Sequence, residues 1–197
     1  MMWAKPVSLK GEHVSVVPLA HAHDVDLAEA SADGELYRLW YTPVPRPEDV
    51  PAEVDRRLDL LGTGSMVPFA ILDRNGKAVG MTTYMNIDHA NQRLEIGSTW
   101  YRKSVQRGPV NTECKLLLLT HAFEALGAIA VEFRTHFINA QSRRAIERLG
   151  AKLDGVLRSH MVMPNGTLRD TAVYSITAAE WPTVKSHLQW QLEKPRG

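Results

Sequence analysis

The sequence predicts an α/β (more closely α+β) fold, with a single mixed, largely antiparallel sheet of about seven strands and helices on both faces. Three observations lead to this prediction. The first half of the chain is mainly a run of strand patterns, whereas the second half alternates between helix and strand patterns. Turn residues separate the strands. The length of 197 residues suits one domain, so we expect residues 1–197 to fold as a single unit.

The strands of the first half are marked by alternating apolar and polar residues. They are predicted over Glu12–Pro18, Val67–Asp73, Lys77–Ile87 and Arg93–Tyr101. Asn75-Gly76, between the second and third strands, is a strong signal for a β-hairpin. Two helices are predicted over His21–Ala32 and Glu48–Leu61, and Gly62 is a plausible end for the second.

In the second half the apolar residues recur with helical spacing. Helices are predicted over Thr112–Leu126, Ala140–Leu149 and Ala179 to about Leu192, and strands over Ala130–Phe137, Lys152–Met163 and Leu168–Ile176. The strand–helix–strand unit from Arg93 to Phe137 predicts a right-handed crossover that joins two parallel neighbours.

Composition argues against several classes of partner. The net charge is +1 and the basic residues form no stripe, so we expect no nucleic-acid partner. No leader-like or bilayer-length apolar segment is evident, which predicts a cytoplasmic protein with no membrane partner.

The single cysteine, Cys114, is interpreted as a buried structural thiol rather than a nucleophile. Histidines are scattered, and His21 and His23 cannot share a helix face, so no metal is expected.

A strand, a turn and a helix start come together between Glu95 and Thr112. The turn from Gln106 to Asn111 contains a glycine and a proline and leads directly into a helix. A helix N-terminus presents unpaired N–H groups and the positive end of the helix dipole, which together suit a phosphate, and Arg107 adds charge. The alternative is a simple connection that uses Gly108 and Pro109 for turning.

A second signal begins at Asn139, which can cap the helix that Gly150 ends. Asn139 and Ser142 are three residues apart, at the cap and in the first turn, so their side chains can point towards the same spot. The alternative is plain capping, with Ser142 as the third residue of the helix and an exposed basic face behind it.

Taken in order, these segments resemble the GNAT superfamily of N-acetyltransferases, and within it the branch that contains the ribosomal-protein alanine acetyltransferases. The turn at Gln106 is similar to the family's Q/R-x-x-G-x-G/A loop, and Asn139-x-x-Ser142 with Leu149-Gly150 is similar to its N-x-x-S…L-G segment. Residues 154–158, Asp-Gly-Val-Leu-Arg, resemble its EG-x-x-R strand. The opening from Leu9 to Leu19 also fits this branch.

The resemblance implies a GNAT fold and a transfer of acetyl from acetyl-CoA, as co-substrate, to a primary amine of a protein N-terminus or a small molecule. It implies Ser142 as the partner of the leaving thiolate, with Tyr174 and Tyr101 as weaker candidates. Glu95 is the candidate general base, directly or through water, and a surface carboxylate is the alternative. The residues implied in coenzyme A binding are Ser98, Thr99, Trp100, Gln106, Arg107, Gly108, Val110, Asn111, Thr112, Asn139 and Ser142.

The sequence departs from the family at Pro109, where the loop motif has glycine, and proline has no N–H to donate to phosphate. This departure keeps open a GNAT-like module that binds acyl-CoA without turnover. A plain interaction domain without a coenzyme A site is a further alternative. Leu36–Tyr41 is aromatic enough to form a wall of an acceptor pocket, although such residues commonly serve as packing anchors. A homodimer is an option for the assembly.

Overall fold

The computed structural model describes residues 3–194, which form one sheet of eight strands. The strands are β1 (Leu9–Lys10), β2 (Ser15–Pro18), β3 (Met66–Leu72), β4 (Ala78–Asp88), β5 (Arg93–Tyr101), β6 (Ala130–His136), β7 (Lys152–Val162) and β8 (Leu168–Thr177). Their order across the sheet is β1-β2-β3-β4-β5-β6-β8-β7. Every neighbouring pair is antiparallel except β5 and β6, which are parallel. The predicted mixed, largely antiparallel sheet is confirmed, with the two-residue β1 as the strand that the sequence missed.

Five α-helices accompany the sheet: α1 (Asp24–Ala32), α2 (Val50–Gly62), α3 (Val110–Thr120), α4 (Ala140–Arg148) and α5 (Trp181–Glu193). A π-helical turn, His121–Ala125, follows α3, and short 3-10 turns occur at His21–His23, Leu36–Arg38, Pro47–Asp49 and Lys103–Val105. The predicted helix over Thr112–Leu126 therefore starts earlier and changes its hydrogen-bonding pattern at His121.

The first predicted strand is shorter than expected for a physical reason. Its residues Glu12, His13 and Val14 donate their backbone N–H groups to the carboxylate of Glu113, at 2.6–2.9 Å, instead of to a neighbouring strand. Pairing with β3 therefore starts only at Ser15. This buried carboxylate also fastens the beginning of α3 to the first part of the sheet.

The two faces of the sheet carry separate apolar clusters. Neighbouring residues of β5 belong to different clusters, since Trp100 packs with α1 and α2 whereas Tyr101 packs with α3. The cluster beneath α3, α4 and α5 is the larger of the two and includes Leu118, Leu149 and Leu188. The predicted arrangement of helices on both faces is therefore confirmed.

Candidate active site

The central feature of the sheet is a wedge between the parallel strands β5 and β6. These strands are in register at only three positions, from Arg93 opposite Ala130 to Glu95 opposite Glu132, and no later pair joins them in residues 3–194. β5 nevertheless continues to Tyr101 and β6 to His136. Backbone groups on the facing edges are therefore left without strand partners inside a sheet, where they normally require one. An extended ligand that carries amide groups can supply these partners.

A β-bulge in β5 accompanies the opening of the wedge. Pairing with β4 passes from Met81 opposite Trp100 to Thr83 opposite Gly97, so that Ser98 and Thr99 together face one residue of β4. Ser98 has a φ of 47°, in the left-handed region. A bulge of this kind bends its strand and increases the local twist. The predicted ligand-binding stretch, Ser98 to Trp100, thus lies where β5 is bulged and unpaired with β6.

A buried arginine supports the bulge from the α2 side. Arg57 donates to the carbonyl of Ser98 at 3.1 Å, to the Thr83 hydroxyl at 2.8 Å and to the carboxylate of Glu53 at 2.7 Å. Its side chain is 1% exposed. Burial lowers the pKa of Arg57, and the charge of Glu53 opposes that shift. This contact could not be predicted from the sequence, because an arginine on an amphipathic helix is usually solvated.

The side chains of Thr99 and Trp100 are already engaged in packing. The Thr99 hydroxyl accepts a hydrogen bond from Lys115 Nζ at 2.9 Å and lies 2.8 Å from the Thr82 hydroxyl. Lys115 is buried, which lowers its pKa to about 8. The indole of Trp100 is buried with the α1–α2 cluster. These residues therefore present mainly backbone groups to the wedge.

The helix α3 begins at the open end of the wedge and has no side-chain cap. Pro109 occupies the N-cap position, and no side chain accepts from the first turn. The N–H groups of Val110, Asn111 and Thr112 lie in that turn, where a helix provides no internal acceptor. Arg107, just before it, is exposed and has a φ of 61°. This helix end keeps its donors available for an anion.

Two of the predicted loop residues use their side chains to hold the loop in place. Gln106 donates from Nε2 to the carbonyl of Tyr101 at 3.0 Å, and Gln141 of α4 donates to Gln106 Oε1 at 3.5 Å. Thr112 is buried, and its hydroxyl accepts from Arg148 at 3.1 Å. The Thr112 hydroxyl is thus engaged within the protein, while its backbone N–H lies in the first turn of α3.

The start of α4 differs from that of α3, because the side chain of Asn139 caps it. Asn139 Oδ1 accepts from the backbone N–H of Ser142 at 3.0 Å, and Ser142 is half-buried. The capping predicted from the sequence is confirmed. The hydroxyl of Tyr174 accepts from Arg143 at 2.8 Å and donates to Glu147 at 2.8 Å, so this weaker candidate is part of a structural network.

The other tyrosine candidate, Tyr101, is enclosed on the α3 side of the sheet. Burial raises the pKa of its phenol well above the usual range, and its ring packs in the cluster that also contains Cys114. Cys114 is a free, buried thiol, as predicted, and burial raises its pKa. Both groups are therefore protonated at neutral pH and remote from solvent.

Glu95 occupies the last paired position of β5, at the vertex of the wedge. It is only 4% exposed, which rules out the alternative of a surface carboxylate. Asn86 donates to Oε2 at 2.7 Å, and Arg134 Nε lies 3.6 Å from the same oxygen. Burial raises the pKa of Glu95, although the Asn86 hydrogen bond and the charge of Arg134 oppose the shift. A carboxylate with a raised pKa is a better proton acceptor.

Two residues near Glu95, His136 and Arg169, were not identified from the sequence. His136 is 5% exposed at the end of β6, and the ring of Trp40 stands edge-on to it with 5.6 Å between centroids. Arg169 of β8 acts electrostatically on both His136 and Glu95. The sequence does contain one signal for His136. Glu132, Arg134 and His136 occupy alternate positions of a buried strand and give that strand a polar face. Trp40 lies in the segment predicted to line an acceptor pocket.

Two features are absent from the part of the chain that the structure describes. Residues 3–194 contain no group of three or more His, Cys, Asp or Glu side chains that could hold a metal ion. None of their helices is long and apolar enough to cross a membrane.

Comparisons with known proteins agree with this geometry. Residues 14–152 match the model of a family described as "Acetyltransferase (GNAT) domain". "Putative ribosomal N-acetyltransferase YdaF" of Bacillus subtilis is 32% identical over 108 residues, which cover 54% of this chain and 57% of that protein. The match thus spans little more than half the length of that relative.

Two solved structures show the similarity of the whole fold. A GCN5-related N-acetyltransferase from Brucella melitensis is 32% identical, with a TM-score of 0.86 over 96% of this chain and 86% of that one. Mycobacterium smegmatis RimJ, solved in complex with CoA-disulfide, has a TM-score of 0.80 over 94% of this chain and 95% of that one. At 22% identity, the second likeness demonstrates a shared fold.

Proposed function

This chain belongs to the acetyltransferase (GNAT) domain family, and we propose that it transfers an acetyl group from acetyl-CoA to a primary amine. The transfer is direct, in a ternary complex of protein, acetyl-CoA and amine. The acceptor amine belongs to a protein N-terminus or to a small molecule. The first of these is in line with the name of the Bacillus subtilis relative.

The observation that carries the proposal is the continuity of the wedge with the uncapped start of α3. Unpaired backbone along β5 suits the amide-bearing arm of coenzyme A, and the free N–H groups of Val110, Asn111 and Thr112 suit its pyrophosphate. Arg107 and Gly108 precede this turn, and Arg107 adds positive charge. Few ligands combine a long amide-bearing arm with a pyrophosphate.

The remaining assignments follow from position. Ser98, Thr99 and Trp100 would bind the acyl-bearing end through their backbone groups, since two of the three side chains are committed elsewhere. Gln106 would shape the loop that carries Arg107. Asn139 would bind the pantetheine arm through Nδ2, because its Oδ1 is engaged with Ser142.

The reaction needs one group that accepts a proton from the amine and one that stabilises the leaving sulfur. The amine nitrogen forms a bond to the acetyl carbon as the carbon–sulfur bond breaks. Glu95 takes a proton from the amine, directly or through water, which its raised pKa favours. The Ser142 hydroxyl donates a hydrogen bond to the sulfur, which leaves as a thiolate. The thiolate takes up a proton from water to become the thiol of coenzyme A, and Glu95 returns its proton to water. The products are an amide and free coenzyme A.

Pro109 supports one alternative function, a module that binds acyl-CoA without turnover. It removes a donor from the loop at the N-cap of α3. This departure concerns the phosphate end of the ligand, whereas Glu95 and the wedge retain the features that the reaction needs. We therefore favour turnover.

The proposal is tested in two steps. Acetyl-CoA at 100 times its Kd should stabilise the fold by about 2.7 kcal/mol, and thus raise the midpoint of thermal unfolding by about 5–10 °C. Release of coenzyme A is then measured with a broad panel of amines. The absence of any thermal shift at millimolar acetyl-CoA contradicts the proposal, and binding without turnover favours the module.

The role of Glu95 has its own test. Glu95→Gln should lower kcat/KM by about 100-fold or more and remove the acid limb of the pH–rate profile, which lies above the usual glutamate pKa of about 4.3. Glu124→Gln, which changes an exposed carboxylate bonded to Lys185, is the control and should leave the profile unchanged. An unaltered profile in Glu95→Gln would remove it from the role of base.

A further inference from the structure

The face of the sheet around Glu95 holds polar groups that the reaction described above leaves unused. Glu95 and Glu132 are in register, and residues two apart on a strand share a face, so Arg134 and His136 of β6 lie on the Glu95 side. Thr171 of β8 stands opposite His136. Trp40 borders the same area, with its side chain half exposed. Together these residues flank the unpaired part of the wedge.

His136 presents a buried hydrogen-bond donor. Its Nδ1 accepts from the backbone N–H of Ile138 at 3.4 Å, which places the proton of the neutral ring on Nε2. Burial lowers the pKa of His136, and so does Arg169, while Asp170 opposes the shift, so the ring is neutral at pH 7. Nε2 is buried and has no hydrogen-bond partner among residues 3–194. A buried polar group of this kind normally has one.

Arg169 supplies a second donor with a charge. Its Nε donates to the Thr171 hydroxyl at 3.0 Å, and its guanidinium forms no ion pair with a carboxylate of the described residues within 4.0 Å. The neighbouring carboxylate of Asp170 is bonded to Arg158 at 2.7 Å and to the N–H of Ser159 at 2.7 Å. Burial lowers the pKa of Arg169, and the charge of Glu95 opposes that shift.

We propose that His136 and Arg169 bind a carboxylate of the acceptor, so that the acceptor is an amine with a carboxylate close by, such as a free α-amino acid. This inference rests on the proposed function. Two N–H donors, one of them cationic, match a carboxylate oxygen better than a neutral carbonyl. With the carboxylate held there, the amine lies towards Glu95 at the vertex of the wedge. An alkyl diamine would instead bring a second cation against Arg169.

The test compares ligands that differ only in this carboxylate. Binding of N-acetylalanine and of N-acetylalaninamide to the protein saturated with coenzyme A is measured by calorimetry, and turnover is measured with alanine and alaninamide. We expect the carboxylate form to be preferred by about tenfold or more, the ratio that one charge-assisted hydrogen bond supplies. Equal or reversed preference in both measurements, which a peptide N-terminus as acceptor would give, overturns the inference.

Variants locate the preference. Arg169→Gln and His136→Leu should each reduce the ratio of carboxylate to amide binding by about tenfold, whereas His136→Gln, which keeps an N–H donor, should retain part of it. Arg74→Gln, on the exposed turn after β3, is the matched control and should leave the ratio unchanged. The ratio is insensitive to a general loss of folded protein. A ratio that stays the same in Arg169→Gln and His136→Leu overturns the assignment.

Failure of this inference differs from failure of the proposed function. If coenzyme A and acetyl-CoA do not bind at all, the proposed function fails. If they bind, and the amide ligands are bound or acetylated as well as the carboxylate ligands, only the acceptor assignment fails.

Discussion

The starts of α3 and α4 lie close together, joined by the Gln141–Gln106 contact, yet they differ in how they treat their free N–H groups. At α4 the side chain of Asn139 accepts from Ser142, so the protein completes its own helix end. At α3 the N-cap is Pro109 and no side chain completes the turn. The first end is thus capped by a side chain, and the second has no side-chain cap.

The comparison shows that similarity to a motif and availability for binding are different properties. The segment from Asn139 to Gly150 agrees better with the family pattern, but the side-chain oxygen of Asn139 already accepts a hydrogen bond from Ser142. The segment from Gln106 to Asn111 agrees less well because of Pro109, but it leads into the helix end that retains its donors. We therefore assign the pyrophosphate to α3, and the reacting end of acetyl-CoA to the neighbourhood of α4.

The strongest test of the difference between the starts of α3 and α4 adds one negative charge to each helix. Asn111→Asp and Gln141→Glu are nearly isosteric changes at the second residue of α3 and of α4, respectively. A carboxylate in the first turn of α3 would repel the pyrophosphate, so Asn111→Asp should raise the Kd of acetyl-CoA by about 10- to 100-fold. Gln141→Glu should change it by about threefold or less. Titration calorimetry measures both, and equal effects would contradict the division of roles.

Removal of the hydroxyl at the start of α4 should affect turnover rather than binding. Ser142→Ala keeps the backbone N–H that Asn139 caps, so the helix is retained. Loss of the hydrogen bond to the leaving thiolate should lower kcat by about tenfold or more, because a hydrogen bond to a charged group contributes about 1.5 kcal/mol or more. Ser186→Ala on α5 is the control. If kcat is unchanged, Ser142 is not the partner of the thiolate.

Removal of the cap itself should be visible in stability. Asn139→Ala deletes the oxygen that caps α4 and should cost about 1 kcal/mol, which lowers the thermal midpoint by about 2–4 °C. Asn139→Asp retains a capping oxygen and should keep the midpoint of the wild type. Thermal unfolding monitored by circular dichroism measures both variants. An unchanged midpoint in Asn139→Ala would mean that the helix end is satisfied in another way.

The smallest expected effect concerns the donor that α3 lacks. Pro109→Gly adds an N–H at the N-cap and should tighten acetyl-CoA binding by about threefold, somewhat less than a full hydrogen bond supplies. Pro182→Gly, at the start of α5, controls for the added chain entropy. Weaker binding in Pro109→Gly would show that the proline pre-shapes the loop, and that the number of donors matters less.

Much of the fold was predictable, because local patterns and long-range packing agree in most elements. Arg93–Tyr101 was predicted with the bounds that β5 has, and its parallel pairing with β6 followed from the intervening helix. The main error lies where a side chain from a distant part of the sequence accepts hydrogen bonds from backbone N–H groups. Glu113 does this for the N–H groups of Glu12–Val14. No pattern within the segment reveals such a partner about 100 residues away.

The candidate site was predictable in part. The loop at Gln106, Asn139, Ser142 and Glu95 could be selected because motifs and strand ends mark them. Arg57, His136 and Arg169 could not, since their role depends on side chains from separate elements that meet at the wedge. The extent of residues 1–197 as one domain, and a homodimer, remain predictions.

Amide hydrogen exchange with and without acetyl-CoA tests the central claim most directly, because it reports on both helix starts in one measurement. In the free protein, the amides of Val110, Asn111 and Thr112 should exchange fast relative to that of Ser142, which Asn139 already protects. Acetyl-CoA should slow the three α3 amides strongly and change Ser142 little. Protection confined to α4, with no change at Val110–Thr112, would contradict the assignment of α3 as the phosphate site.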